Sequence, residues 1–436
     1  MKSLFFGGIH PADRKELSAN AELKPVNTPK QVTIAMSQHI GNPCTPLVKV
    51  GDYVKKGQKV GDGEGLCVPV HATVSGNVVA VEERRHPSGR DVLSVVIEND
   101  FLDVLDTTMT AYEDYSKLSD DEIIGIIREA GIVGMGGATF ATNIKAASSM
   151  EKVNTLIANA CECEPYITSD DMLLRTYPEQ VLEGMRIICQ VLNPERVVLA
   201  VEENKKRAIE VLKKNLEGEQ KIELLVLPTR YPQGAEKQLV QTVTGKEIAP
   251  GQLPASVGAA VFNVATFAYT YRAVCKGRPV TERIVTVSGE AINTPGNFTT
   301  RIGTSFEDLV EAAGGLKEDT WKVIVGGPMM GFAQADLSSN TVKGTNSILC
   351  LTNAQNGESK EEVTCIRCGE CLKVCPMNLQ PLYMYAYEKK QNVDGLNRLN
   401  VMDCIECGCC SYVCPGKLPL VERFRNGKRL VREGAK

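Results

Sequence analysis

The chain has 436 residues, with 49 Lys and Arg against 53 Asp and Glu, a formal net charge of −4, and 43% apolar and 23% charged residues. That length allows about three domains, and the balanced charge gives no overall pull toward nucleic acid. The most hydrophobic window, Val257 to Tyr269, has 13 residues interrupted by Asn263 and Thr266, short of the ~18 a membrane span needs, so it is expected to be a buried helix.

Residues 1–31 read as an N-terminal extension. Met1–Gly8 turns polar at His10, Pro11 and Asp13, without the longer apolar region of a secretory signal. With 16 cysteines and no export signal, the chain is expected in a reducing compartment, where cysteines bind metal rather than pair. Residues 32–100 alternate short apolar runs with turns at Gly51-Asp52, Gly57-Gln58, Gly61-Asp62-Gly63 and Gly76-Asn77, the pattern of a small all-β module. The phrases "VKVGDYVKKGQKVGDGEG" and "VHATVSGNVVAV" resemble the lipoyl/biotinyl barrel-sandwich fold. No lysine hairpin for a prosthetic arm is present, which leaves a scaffold or docking role.

Residues 101–280 change period. Ser119–Ala130 predicts an amphipathic helix, with Ser119 as N-cap, Asp120, Asp121 and Glu122 in the first turn, and Ile123, Ile126 and Ile127 on one face. Strands are predicted at Thr155–Ala158, Arg196–Val201 and Lys221–Leu227, with helices at Glu179–Leu192 and Lys205–Asn215. This alternation argues for an α/β domain with a largely parallel sheet. Residues 281–352 carry predicted strands at Arg283–Ser288 and Lys322–Val325 and a helix at Ser305–Ala313. A polar linker, 352–362, leads into a cysteine-rich segment that ends near residue 416. The last stretch, 417–436, has seven Lys and Arg and two Glu, hence +5, and reads as a basic tail, either solvated or docked on an anionic surface.

The chemistry is clearest in the cysteine-rich segment. Cys365, Cys368, Cys371 and Cys375 precede Pro376, and Cys404, Cys407, Cys410 and Cys414 precede Pro415. Each run is C-x2-C-x2-C-x3-C-P, the bacterial ferredoxin signature, in which the fourth cysteine ligates the other cluster. One [4Fe–4S] cluster is therefore assigned to Cys365, Cys368, Cys371 and Cys414, and the other to Cys404, Cys407, Cys410 and Cys375. Structural zinc, usually held by two separated pairs, does not explain the doubling. Cys409 lies inside the second run but off its spacing. Cys161 and Cys163 read as packing residues of a ligand loop rather than a redox pair. Cys44, Cys67, Cys189, Cys275 and Cys350 read as small core residues, and the histidines at 10, 39, 71 and 86 show no ligand spacing.

A second chemical feature is the loop Gly131, Gly134, Gly136 and Gly137, followed by Lys145. Clustered glycines let backbone N–H groups approach a phosphate or flavin without Cβ obstruction. By itself the loop is equally readable as a structural turn, since it follows a helix and lacks the G-x-G-x-x-G spacing.

The stretches "GIVGMGGATFATNIK", "LIANACECEP" and "GAAVFNVATFAY" resemble the FMN- and NADH-binding core of the complex I 51-kDa-subunit family. Together with "RIVTVSGEAINTPGNF", which is similar to an SLBB-like β-grasp domain, the twin-cluster segment and "FFGGIHP", the order resembles the family of C subunits of Rnf electron-transport complexes. That resemblance implies a multidomain α/β chain. Its parts would be a barrel-sandwich module (32–100), a Rossmann-like FMN/NADH domain (101–280), an SLBB-like domain (281–352) and a helical two-cluster ferredoxin domain (353–416).

The same resemblance implies FMN on Gly131, Gly134, Gly136, Gly137 and Lys145, an acidic motif at Asn159, Glu162 and Glu164, and later polar ligands at Asn263 and Thr266. Tyr231–Lys237 becomes a candidate for the nicotinamide side, and no side chain is required as an acid–base catalyst. Ala141 departs from the proline common in such loops, and Cys161 and Cys163 from the Asp and Ser of the complex I version. The implied role is a peripheral subunit at the cytoplasmic face of a membrane. It would bind NADH, deal with ferredoxin indirectly, and work with integral-membrane partners to couple electron transfer to Na+ or H+ movement. Two rivals remain: a microcompartment cobalamin reductase, and a non-enzymatic electron-transfer scaffold without flavin.

Overall fold

The computed structural model describes residues 5–355 and 364–434. Most of the expected linker, 356–362, therefore lies outside the described residues. Within them, no helix is long and apolar enough to cross a membrane.

The N-terminal module is two small antiparallel sheets. One orders Gln31–Ala35, Asp91–Asn99, Gly76–Arg85 and Tyr53–Val54; the other orders Thr45–Pro46, Lys59–Asp62 and Val70–His71. Alternate residues such as Val32, Ile34, Val95 and Ile97 turn inward to a shared core with Val54, Val60 and Val78, as period-2 strands with one buried face must. Gly76 takes φ +148°, and a Cβ there would lie 1.9 Å from the Glu98 carbonyl oxygen, so only glycine lets the two strands meet.

The next domain is built on a four-stranded parallel sheet ordered Ile222–Leu227, Arg196–Glu202, Thr155–Ala160, Ala259–Asn263. Helices cover both faces, so its strands are apolar on both sides. Leu156, Ala158 and Ala160 enter the larger core, whereas Ile157 and Cys161 enter a second core with Leu239, Val240 and Val243 of the Glu236–Thr244 helix. Asp120–Glu129 is a helix with a reciprocal capping box between Ser119 and Glu122. The long helices Pro178–Leu192 and Val264–Lys276 cross where a Cβ on Gly184 would lie 1.9 Å from the Phe267 carbonyl oxygen.

The window 257–269 corrects the expectation of one buried helix. Gly258, at φ +80°, breaks it; Ala259–Asn263 is the edge strand of the sheet, and the helix begins at Val264. A short apolar run is compatible with either element. Asn263 decides it here, because its side chain accepts from the Ala265 N–H and caps the helix.

A six-stranded mixed sheet follows, ordered Leu23–Pro25, Gly296–Arg301, Glu282–Ser288, Ser347–Thr352, Thr320–Val325, Phe332–Gln334, with the Phe306–Ala312 helix on it. Its first strand comes from the N-terminal extension and pairs in parallel, Leu23 with Asn297. The extension is thus woven into the fold.

Short helices form the cysteine-rich domain. The basic segment expected as a tail instead forms the helix Leu420–Gly434, whose Leu420, Phe424, Gly427 and Val431 are buried. Phe424 alone contributes on the order of 2 kcal/mol by burial, and Lys428 turns inward to Glu406, so the segment is held against the domain despite its charge.

Candidate functional site

The two cysteine runs form near-copies of one local structure. In the first, Arg367 (φ +57°) and Gly369 (φ +79°) adopt left-handed backbone; in the second, Glu406 (φ +57°) and Gly408 (φ +81°) do the same. Those reversals curl three cysteines around one point, and a single helical turn, Glu370–Lys373 or Cys409–Tyr412, then carries the chain away. Cys375 lines a cavity with Cys404, Cys407 and Cys410, walled by Met384 and Phe424. Cys365, Cys368 and Cys371 line another with Cys414, walled by Tyr385 and Leu418. The sulfur that ends each run thus lies with the opposite run.

These donor sets suit iron–sulfur clusters: four thiols per cavity, apolar walls, and backbone N–H groups on sulfur from Leu379 to Cys375 and from Glu406 to Cys404, both 3.4 Å. Burial pushes the Cys371 and Cys404 thiols up to about 11, so metal ligation must displace their protons. Cys409 borders the first cavity as well, and its hydrogen bond to Cys407 holds that thiol below its ordinary value.

The glycine loop lies at the C-terminal edge of the parallel sheet, where open α/β folds bind ligands. Asn159 and Asn263 are register partners at the ends of adjacent strands. Asn263 donates 2.6 Å to Asp170, and a Cβ on Gly136 would meet Asn263 side-chain atoms at 3.3 Å. The Thr266 hydroxyl accepts from the Met135 N–H at 3.1 Å and pins the loop to the helix. Gly137 has φ +109° and open space where its Cβ would be.

Lys145 pairs with Glu236 at 2.5 Å and lies 5.4 Å from the centre of the Phe262 ring, which brings it to the Tyr231–Lys237 segment. Asn159 donates to the Gly234 carbonyl at 2.9 Å. Gly131 stands apart. Its Cβ would strike the Pro69 carbonyl oxygen at 2.3 Å, and its own carbonyl accepts from Lys343, so its glycine serves close packing between domains.

The acidic motif is engaged by the protein itself. Glu162 accepts from the Asp170 N–H at 2.7 Å and caps the Ser169–Thr176 helix. Glu164 accepts from the Met329 and Met330 N–H groups at 3.1 and 3.0 Å, and a Cβ on Gly327 would lie 2.1 Å from its carboxylate. Burial pushes Glu162 up to about 8, offset in part by Lys15, and Glu164 up to about 7. Cys161 is fully buried, and Cys163, pushed up to about 12 by burial, accepts from the Gly234 N–H; neither is a reactive thiolate.

Lys15, from the extension, was missed by sequence reasoning. Its buried ammonium donates to the carbonyls of Glu162, Glu164 and Ile167 at 2.9, 2.9 and 2.5 Å. No sequence signal separates it from any surface lysine. Asn143 Oδ1 and Gln233 Oε1 are buried with no hydrogen-bond partner among the described residues. The open space at Gly137 leaves room for a ligand to approach the loop's backbone.

The two sites adjoin. The Tyr231 hydroxyl donates to the Cys407 carbonyl at 2.7 Å, and a Cβ on Gly408 would lie 3.0 Å from the Met329 carbonyl oxygen. The Gly8 N–H donates to the Val374 carbonyl, and Gln238 to that of Pro376. All of these contacts fall on the side of the Cys375/Cys404/Cys407/Cys410 cavity.

Four family models match the chain in order: the RnfC barrel sandwich hybrid domain over residues 3–102, the Nuo51 FMN-binding domain over 127–272, the SLBB domain over 284–333 and a 4Fe-4S dicluster domain over 358–415. The architecture is accordingly a barrel-sandwich module, an FMN-binding α/β domain, an SLBB β-grasp domain and a two-cluster domain. The chain is 45% identical to the C subunit of the Na(+)-translocating ferredoxin:NAD(+) oxidoreductase complex of Acetobacterium woodii, covering 98% of this chain and 97% of the relative.

It is 44% identical to the C subunit of the proton-translocating ferredoxin:NAD(+) oxidoreductase complex of Clostridium ljungdahlii, over 87% of this chain and 83% of the relative. With the C subunit of the ion-translocating oxidoreductase complex of Citrobacter koseri it shares 42% identity, over 97% of this chain and 60% of a longer relative. A solved NAD+-reducing [NiFe]-hydrogenase shares the fold, at a TM-score of 0.51 and 19% identity, over 74% of this chain and 65% of that one.

Proposed function

The chain belongs to the C-subunit family of ion-translocating ferredoxin:NAD(+) oxidoreductase complexes, and from that premise we propose that it is the subunit at which electrons pass between NAD(H) and the complex's iron–sulfur chain. It is an oxidoreductase subunit with FMN and two [4Fe–4S] clusters. FMN supplies the exchange between two-electron hydride chemistry and single electrons, and the clusters carry the single electrons.

The observation that carries this reading is the contact between the two sites, with Tyr231 on Cys407 and the Glu164-held Met329 against Gly408. The cavity of Cys375, Cys404, Cys407 and Cys410 would take the cluster nearer the flavin. That of Cys365, Cys368, Cys371 and Cys414 would take the outer one and pass electrons onward.

Gly134, Gly136 and Gly137 would form the floor under the FMN, Lys145 would supply positive charge near its edge, and Asn159 and Asn263 would offer amides at the ends of the strands. Thr266 would hold the loop through Met135. Glu162 and Glu164 would act chiefly as positioning residues, since both carboxylates already accept from backbone N–H groups. Gly131 would pack domains rather than touch the ligand. The domain limits inferred from the sequence stand as part of the proposal, with the extension assigned to the body it threads.

Attachment to integral subunits at the cytoplasmic face, indirect exchange with ferredoxin, and coupling to Na+ or H+ movement complete the reading. The relatives' names differ in that ion. The test is anaerobic reconstitution with FMN, followed by NADH addition. Stoichiometric flavin and bleaching of both flavin and cluster absorbance are expected, and Gly136→Val should lose flavin while keeping its iron. Failure to bind flavin would favour the scaffold rival, and reduction of cobalamin in place of the complex's clusters the cobalamin-reductase rival.

A further inference from the structure

His39 and Cys44 share one loop and Cys67 lies on another, with no recognisable ligand spacing among the three, yet the fold brings them together inside the barrel-sandwich module. One ligand atom from each lies within 4.8 Å of the others. Cys44 Sγ and Cys67 Sγ are 3.5 Å apart. His39 is 9% exposed, Cys44 4% and Cys67 1%. The loop after Gln31–Ala35 carries His39 and Cys44, and the loop before Val70–His71 carries Cys67. The two loops are held by the Asn42 N–H on the Leu66 carbonyl at 2.9 Å, and a Cβ on Gly41 would lie 2.1 Å from that same oxygen.

We propose that His39, Cys44 and Cys67 bind one zinc ion, at a site separate from both cluster cavities. Two thiolates and an imidazole are the donor set that selects zinc among common divalent ions. Two Zn–S bonds of ~2.3 Å at a tetrahedral angle place their sulfurs about 3.8 Å apart, close to the 3.5 Å found here. A disulfide would need them at ~2.0 Å and a larger movement of two packed loops.

The imidazole is already set for the task. Its Nδ1 lies 3.2 Å from the Ile40 carbonyl, the backbone contact that fixes the tautomer of a metal-bound histidine and leaves Nε2 as the ligand. His39 Nε2 accepts from the Val68 N–H at 3.2 Å, and metal binding hands that N–H to a thiolate. The Val68 carbonyl oxygen, 3.3 Å from Cys44 Sγ, is the neighbouring donor for the fourth position. On binding, each thiol releases one proton, so two positive charges leave as the divalent ion enters. The resulting Zn(S−)2 unit with neutral imidazole carries no net charge, which removes the penalty of burying two thiolates. Zinc here joins two loops of the module and takes no part in electron transfer.

The full chain, purified anaerobically with its clusters, is assayed for zinc and iron by mass spectrometry and for zinc coordination by X-ray absorption at the zinc edge. About one zinc per chain beside about eight irons is expected, with two sulfurs and lighter N/O donors around the zinc. Cys44→Ser and His39→Gln should each lose the zinc and keep the iron. Zinc retained by both variants, a zinc shell of four sulfurs, which would place it in a cluster cavity, or no uptake of added Zn2+ by the wild type would each overturn the proposal. So would a Cys44–Cys67 disulfide in unreduced peptides. The absorption spectrum of the wild type decides the matter even where a variant fails to fold.

Discussion

Replacing Lys15 by Met removes an ammonium that holds three backbone carbonyls of one loop, those of Glu162, Glu164 and Ile167. Each buried acceptor left without a partner costs about 1–3 kcal/mol, so the gross loss is of order 3–9 kcal/mol. Some of it is returned. Burial, followed by repulsion from Lys205, already lowers the Lys15 pKa, and the thioether need not be desolvated as a cation. The low end, about 3 kcal/mol, is the expected local cost, equivalent to roughly a hundredfold rise in the open population of the loop at ~1.4 kcal/mol per decade.

Hydrogen–deuterium exchange by mass spectrometry reads this directly. The Tyr166 N–H, bonded to the Asp13 carbonyl at 2.7 Å, and the Asp170 N–H on Glu162 should lose protection. Peptides from the barrel-sandwich module should not change. Unaltered exchange across 162–171 would refute the assigned role of Lys15, and an equal acceleration everywhere would show it to be a global stabiliser rather than a brace for this loop.

Cys375→Ser should lower iron from about eight to about four per chain and leave Cys404, Cys407 and Cys410 open to alkylation while Cys365, Cys368 and Cys371 stay protected; the reverse pattern would break the crossed assignment. Glu164→Gln should flatten the dependence of stability on pH. Burial raises the folded Glu164 carboxyl to about 7, above its unfolded value near ~4.3. Its contribution is therefore complete below the unfolded value and is lost as pH rises through about 7. Urea midpoints taken at about pH 6 and about pH 8.5 should fall less between the two for the variant, and a steeper fall would contradict the sign.

Much of this organisation was legible because its signals are local. The N-cap at Ser119 and the apolar strands from Thr155 and Arg196 are read from neighbouring residues, and the structure has elements at these places. The cysteine runs were legible for the same reason, since each loop's three thiols lie within seven residues. Long-range meetings were not. Nothing around His39, Cys44 or Cys67 announces that two loops of a sandwich will bring them together, and scattered cysteines in apolar surroundings look like packing.

The Val257–Tyr269 window was misjudged because hydrophobicity alone does not distinguish a buried parallel strand from a helix, and the left-handed Gly258 that divides it is silent in composition. The basic end of the chain was read by its charge, whereas its helix is fixed by an apolar stripe and by Lys428 on the Cys404 carbonyl and on Glu406, both at 2.6 Å. Charge patterns describe what faces water and leave the buried side unstated.

The threading of the first thirty residues through the rest of the molecule has a consequence for how the chain is made. Gly8 finds its backbone partner at Val374, Ile9 at Tyr231, and Leu23–Pro25 at the strand Gly296–Arg301. At ribosomal rates of ~5–20 residues per second, the partner of Gly8 emerges roughly 20–70 s after it. The barrel-sandwich module can close early on its own local strands, but the segment before it waits in stages: Lys15 for the carbonyls of Glu162, Glu164 and Ile167, the strand Leu23–Pro25 for Gly296–Arg301, and Gly8 for Val374. The edge of the β-grasp sheet therefore closes only after Arg301 has emerged, and the contact between Gly8 and Val374 later still. Of these contacts, the one at Gly8 waits for the cysteine-rich domain, and its docking there ends the threading.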